Sequence, residues 1–294
     1  MRKIKFIGFC LIVLLMAACT TGRNKKMIHI GMVDGWAEGV AMTEVAKVIM
    51  EEKGYHVVIQ RATPDMILAS MNNGDTDLYM DVWLPLTHGS KVAKFPNIEE
   101  LGTSYNHARN GLVVPDYVTI DSIEELKTHR KEFNGQIIGI EKGAGITRAV
   151  DQVIVDYGLD YKHINSSTVA MITELQNAIK ARRWIVVAGW QPHWMFAKMK
   201  LKFLEDPKKT LGDAEQIKIF TRKAFKIEQP ELAKFFSKIY FDETTMADLL
   251  SEMEGSKNKK LLQKNGLNNI GILSKDGFGN SIPTNFPCHY RTQK

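Results

Sequence analysis

Ile28-His-Ile-Gly-Met-Val33, the stretch Ala41 to Lys53 and Val57-Val-Ile59 form the succession that decides the fold. A short apolar run reads as a strand. The next stretch sets Val45, Val48 and Ile49 on one helical face and closes at Gly54, and a second strand follows. Thr63-Pro64 then predicts a helix start, with a capping hydroxyl and a first-turn proline, and Asn72-Asn73-Gly74 predicts its end. Leu78 to Trp83 is strand-like again. This alternation implies an α/β layer built on a largely parallel sheet.

A second series of the same kind begins at Gly111-Leu-Val-Val114. It continues with a helix predicted over Ser122 to Phe133, a strand over Gln136 to Ile140, and a Gly143-Ala-Gly145 turn into a helix ending near Tyr157. An amphipathic helix over Thr168 to Arg182 and a buried strand Ile185-Val-Val187 complete it. After Ile217 the chain is expected to turn helical, with Phe225, Phe235, Phe236 and Tyr240 as a closing aromatic layer. Each α/β unit has about a hundred residues, near the usual size of a domain. No low-complexity linker separates them, which suits two lobes joined by short hinge strands.

The ends of the chain differ from this body. Met1-Arg-Lys-Ile-Lys5, an apolar run from Phe6 to Met16 and Ala17-Ala18-Cys19 read as an export signal followed by a lipidation cysteine, with Met16 where leucine is the common residue. The mature chain is expected to start at Cys19 and to be held at the membrane by acyl chains. Of the three cysteines, Cys10 lies in the signal and Cys288 in the tail, so the body has no pair for a disulfide or a thiolate metal site. Of the net charge of +6, Arg2, Lys3 and Lys5 carry +3, and seven cations against Asp276 beyond Ser256 carry +6. Residues 19–255 are therefore mildly acidic, at −3, which removes the main support for a nucleic-acid partner.

Three phrases carry the chemistry: Asp34-Gly-Trp36, Asp81-Val-Trp-Leu-Pro-Leu-Thr-His88 and Gly189-Trp-Gln-Pro-His-Trp194. Tryptophans in three separate turns suggest indole faces converging on a ligand, and a cation without N–H donors suits such faces best. Ordinary core packing is the competing reading for Trp83 and Trp190. The Gly143-Ala-Gly-Ile146 turn opens a helix, where unpaired N–H groups and the dipole favour an anion. It lacks the Gly-Lys-Ser/Thr ending of a phosphate loop and the third glycine of a dinucleotide fingerprint.

Taken in order, Trp36, the Trp83-Leu-Pro-Leu-Thr-His88 phrase, Gly143-Ala-Gly-Ile146 and Gly189-Trp-Gln-Pro-His-Trp-Met-Phe-Ala-Lys198 resemble the substrate-binding proteins of glycine betaine ABC transporters, over residues 28–255. The resemblance implies a two-lobed periplasmic-binding-protein fold (type II) with the ligand between the lobes. It implies a prism of Trp36, Trp83 and Trp190 around a trimethylammonium group, and a carboxylate held by the amides of Gly145 and Ile146 and the side chain of His88. It also implies a membrane permease with its ATPase as partners, and a monomer delivering a solute for osmoprotection. Choline, carnitine and proline betaine are the rival ligands.

The remaining candidates receive structural readings. His193, the competing histidine, sits in a proline turn. Trp184 and Trp194 are expected to pack and the fourteen methionines to fill the core; Asp34, Glu38 and Asp81 could pair the ligand cation at longer range, but are expected to be surface carboxylates. No catalytic constellation, zinc spacing or cofactor motif stands out, so neither an enzyme nor a cofactor is expected.

The expected organisation is a signal over 1–18, a tether over 19–27, a first lobe over 28–110, a second over 111–213, a return over 214–260 and an atypical tail over 261–294. Family members tend to finish on a Trp-bearing amphipathic helix that is missing here. The codons permitted for Gln263 to Gly277 allow an overlapping frame with that ending, so a frameshift just before Leu262 is the expectation.

Overall fold

The computed structural model describes residues 26–255. The signal, Cys10, Cys19, Cys288 and the tail lie outside the described residues.

The opening alternation forms as predicted. Strand β1 (Met27–Met32) pairs in parallel with β2 (His56–Arg61) on one side and β3 (Leu78–Leu84) on the other. Helices α1 (Ala37–Glu52) and α2 (Pro64–Asn73) connect them. Gly54 and Gly74 adopt left-handed φ of 79° and 89° just past the two helices, a conformation that costs glycine little. Helix α1 starts four residues earlier than expected. Thr63 takes the N-cap position of α2, but its hydroxyl makes no capping bond.

The centre of the sheet departs from the parallel expectation. Strand β4 (Ile98–Pro115) is 18 residues long, and its first part pairs antiparallel with β9 (Glu215–Arg222), which in turn pairs antiparallel with β3. From Arg109 onward β4 pairs instead with β7 (Val187–Gln191) and then β8 (Leu201–Phe203). Strand β5 (Gln136–Ile138) lies parallel to both β7 and β6 (Lys162–Ile164). The strand order is β2-β1-β3-β9-β4-β7-β5-β6. One strand is thus shared by two sheets, and β9 brings the chain back into the first, so the halves are joined by ordered backbone.

Three expectations are corrected. The helix predicted over Ser122 to Phe133 is a 3-10 turn, Ile123–Lys127, with a Ser122–Glu125 capping box. Between Leu126 and Phe133 no apolar residue extends a helical stripe, so nothing holds further turns on the core. The strand placed over Ile185 to Val187 begins at Val187 and puts Trp190 inside it. The helical reading after Ile217 is wrong up to Arg222, where Ile217 and Ile219 alternate inward along β9. Beyond it, the helices Phe225–Glu228 and Pro230–Phe236 bury Phe225, Phe235 and Phe236 and the helix Glu243–Gly255 follows, whereas Tyr240 stays exposed and bonds Asn106. Among the described residues no helix is long and apolar enough to cross a membrane.

Candidate functional site

Between the two sheets lies a cavity of about 270 Å³, its opening to solvent included, lined by Trp36, Trp83, Trp190, His88, Gly145 and Ile146, with Glu38, Thr87 and Asn110. All six residues singled out in the sequence are therefore at one place. Trp36 is the N-cap residue of α1, after Gly35 at φ 87°. Trp83 ends β3, and Trp190 sits in β7. Each of these strands runs into a cis proline bond, Leu84-Pro85 and Gln191-Pro192. Gly145 and Ile146 open α4 (Gly145–Asp156), where first-turn amides have no acceptor within the helix.

His88 is held in one tautomer. Its backbone N–H donates to the Trp83 carbonyl at 2.9 Å, and its Nδ1 accepts the Trp83 backbone N–H at 3.0 Å. Burial, reinforced by the charge of Lys91, pushes the imidazole down to about 3, so it is neutral at physiological pH. An accepting Nδ1 on a neutral ring leaves the proton on Nε2, which is buried and without a protein partner. The ring stacks on Trp36 at 5.9 Å and 13°.

Two of the three indoles are anchored by carboxylates, whereas Trp36 Nε1 is buried without a protein partner. Trp83 Nε1 donates to Asp81 Oδ1 at 2.8 Å, and Trp190 Nε1 donates to Glu38 Oε2 at 2.9 Å. Glu38 and Asp81 are completely buried, which overturns their reading as surface groups. Asp34 remains exposed, 3.1 Å from Arg61. Burial drives Asp81 up to about 7; burial and then Asp81 drive Glu38 well above the usual carboxylate range. Sequence reasoning, which preferred the surface reading, missed their bonds to the indoles. A visible signal was that Asp81 and Trp83, two apart on a strand, share a face.

Further contacts bridge the sheets. Lys91 in α3 (Gly89–Val92), itself buried, donates to Asp65 at 2.7 Å and to the Gly143 carbonyl at 2.9 Å. Glu215 accepts the amides of Leu86 and Thr87, at 2.7 and 2.9 Å, and the Thr87 hydroxyl. Asn110 donates to that hydroxyl at 2.9 Å, and Arg148 to the Thr87 carbonyl at 3.3 Å. Replacing Lys91 by Met should leave the Gly143 turn untethered. Charge-assisted bonds of this kind are worth about 1.5–3 kcal/mol, a loss of roughly tenfold or more in affinity for a carboxylate ligand. Calorimetric titration checks this, and a ligand without a carboxylate should be affected less.

The residues read as structural lie outside this lining. His193 Nδ1 accepts the Met195 amide at 3.1 Å, and its ring meets Trp190 edge-on at 4.9 Å, behind the cavity. Burial lowers it to about 3. Trp194 packs on His193, and Trp184 packs between Phe133 and His129. Among the described residues no cluster of His, Cys, Asp or Glu could hold a metal ion.

Indole walls, a helix end with unpaired amides and an oriented N–H donor between two lobes are the parts of a solute-binding protein. Residues 26–263 match the model of the substrate-binding domain of ABC-type glycine betaine transport systems, and the chain belongs to that family of non-catalytic binding components. Over 154 residues it is 36% identical to the glycine betaine/carnitine transport binding protein GbuC of Listeria monocytogenes, an alignment spanning about half of each chain, 51%. Its fold matches lactococcal OpuAC, solved closed with glycine betaine, at a TM-score of 0.78 and 33% identity, covering 83% of this chain and 95% of that one. The ProX protein of Borrelia burgdorferi matches at 0.77 and 30%, covering 83% and 92%. The fold is the two-lobed type II binding-protein fold.

Proposed function

We propose that the protein captures glycine betaine outside the cytoplasmic membrane and delivers it to an ABC permease and its ATPase for osmoprotection. The observation that carries this reading is one cavity whose lining combines apolar indole faces with hydrogen-bond donors. Three indoles line it together with His88, whose Nε2–H has no protein partner, and with Gly145 and Ile146 at the start of α4. A trimethylammonium group cannot donate a hydrogen bond, and each indole face contributes about 0.5–2 kcal/mol to holding it. Trp36, Trp83 and Trp190 form the prism; His88, Gly145 and Ile146 hold the carboxylate.

The carboxylate end favours glycine betaine, proline betaine or carnitine over choline, since choline would leave the His88 donor buried and unpaired at a cost of about 1–3 kcal/mol. The names of GbuC and of the liganded OpuAC structure support the same class. A ligand of roughly eight heavy atoms, at about 1 kcal/mol each, reaches a micromolar dissociation constant.

In this reading residues 28–110 and 214–260 form one lobe and 111–213 the other, with the change of partner along β4 at Arg109 supporting the boundary. Cys19 carries the lipid that tethers a monomer at the membrane. The tail is a frameshift product, tested by resequencing.

The decisive experiment titrates the signal-free protein with glycine betaine, followed by tryptophan fluorescence, beside Trp83→Ala. A saturable shift at micromolar ligand that the variant abolishes is expected. A wild type that shows no shift with glycine betaine, carnitine, proline betaine or choline would sink the proposal.

A further inference from the structure

Glu38 lines the cavity, and both it and Asp81 have unusual surroundings. Each uses one carboxylate oxygen to accept an indole N–H and has its other oxygen buried without a protein partner, Glu38 Oε1 and Asp81 Oδ2. Glu38 stands on the first turn of α1, and the Cα of its neighbour Gly39 packs so closely on Asp81 that an added Cβ would lie 2.4 Å from Oδ2. The phenol of Tyr79, on the same strand as Asp81, is also buried and unpartnered, and burial, reinforced by Asp81 and then Glu38, holds its proton on. From β7 only the Trp190 indole bonds to the pair, and His88 nearby is neutral. Among the described residues no Lys or Arg makes an ion pair with either carboxylate.

Two buried anions side by side without a cation are strongly disfavoured, and the ordinary solution is one proton retained between them. The cation that would reverse this preference is the one the cavity is shaped for. It would sit on the cavity side of Trp83 and Trp190, whose N–H edges point at these carboxylates. Glu38 belongs to the cavity wall itself and Asp81 bonds the Trp83 indole, and in a water-poor site such nearby charges interact appreciably with a cation.

We infer that Glu38 and Asp81 are a proton-sharing pair of positioning carboxylates, which becomes doubly ionised when a quaternary ammonium fills the cavity and so couples ligand capture to the release of a proton. This rests on the proposed quaternary-ammonium reading of the cavity. The proton passes to solvent as the ligand enters, and no covalent bond to carbon changes. Because Glu38 reaches from α1 to Trp190 in the other lobe, the same event strengthens the bond that holds the lobes together. The sign follows: ionisation favours binding, so apparent affinity falls on acidification through the range in which the free pair holds its proton, by up to about tenfold per pH unit.

The test is calorimetry of glycine betaine and of choline binding in buffers of different ionisation enthalpy, on either side of neutral pH. Wild type, Glu38→Gln and Asp81→Asn are compared. The wild type is expected to release a substantial fraction of a proton with either ligand. Glu38→Gln, whose carboxamide oxygen still accepts the Trp190 N–H, is expected to lose that release and the pH slope. A merely structural acceptor would show the same proton count before and after the change.

Wild-type binding that is independent of buffer and of pH overturns the pair and leaves the cavity reading standing. A wild type that binds none of the betaines and no choline overturns both. Should Glu38→Gln fail to fold, the wild-type proton count and Asp81→Asn still decide.

Discussion

Trp190→Ala is expected to weaken glycine betaine binding by about a hundredfold or more. It removes an indole face worth about 0.5–2 kcal/mol and the bond to Glu38 across the cleft, and it leaves that carboxyl group with neither oxygen partnered. It also undercuts His193, whose ring rests edge-on against Trp190. Trp190→Phe separates these effects, since it keeps an aromatic face and loses only the N–H donor, so a smaller loss of roughly tenfold is expected. Calorimetric titration of both variants checks the order. Equal losses for Ala and Phe would assign the whole effect to the bond with Glu38, and no loss for either would remove Trp190 from the site.

The contrast between Trp190 and Glu38 shows what could be read from residues alone. Trp36, Trp83, Trp190 and His88 stand in short phrases with Gly and Pro, whose turns present side chains at strand ends and helix starts, so their convergence was legible locally. The same holds for Gly145 and Ile146, which any strand-to-helix turn exposes as donors. Glu38 and Asp81 were misread because the cues for exposure are weak where they stand. A glutamate in a first helical turn is normally there to oppose the dipole at the surface. Strand β3 is buried on both faces from Leu78 to Trp83, so alternation there says nothing about solvent. Strand β9 was missed for a related reason. Its pattern of Ile217 and Ile219 is short, and its partners β3 and β4 lie more than a hundred residues back. The length of β4 is equally invisible, since polar residues such as Asn106 and His107 interrupt any apolar run across the junction.

Gly145→Ala offers the other large effect, and it divides stability from binding. Gly145 has no positive φ, so alanine fits its backbone, and in the first turn of α4 it should be neutral or stabilising by up to about 1 kcal/mol. The added methyl, however, would lie 2.4 Å from Cγ2 of Thr87 and 2.7 Å from its carbonyl oxygen. Thr87 cannot retreat cheaply. Its amide and hydroxyl are tied to Glu215, Asn110 donates to the hydroxyl, and Arg148 holds the carbonyl. The lobes must therefore separate, which stretches the Trp190–Glu38 and Lys91–Gly143 bonds and withdraws the α4 amides from the ligand. Affinity for glycine betaine is expected to fall about a hundredfold or more, while thermal unfolding of the unliganded protein changes little, the gain in helix propensity being set against the weakened bonds between the lobes. Small-angle scattering with ligand should then fail to show compaction. The double variant Gly145→Ala with Thr87→Ser removes the collision with Cγ2 but not that with the carbonyl, so only partial recovery is expected. Full recovery would mean that the backbone of Thr87 yields after all, and wild-type affinity in Gly145→Ala alone would mean that the lobes do not close this tightly on their ligand.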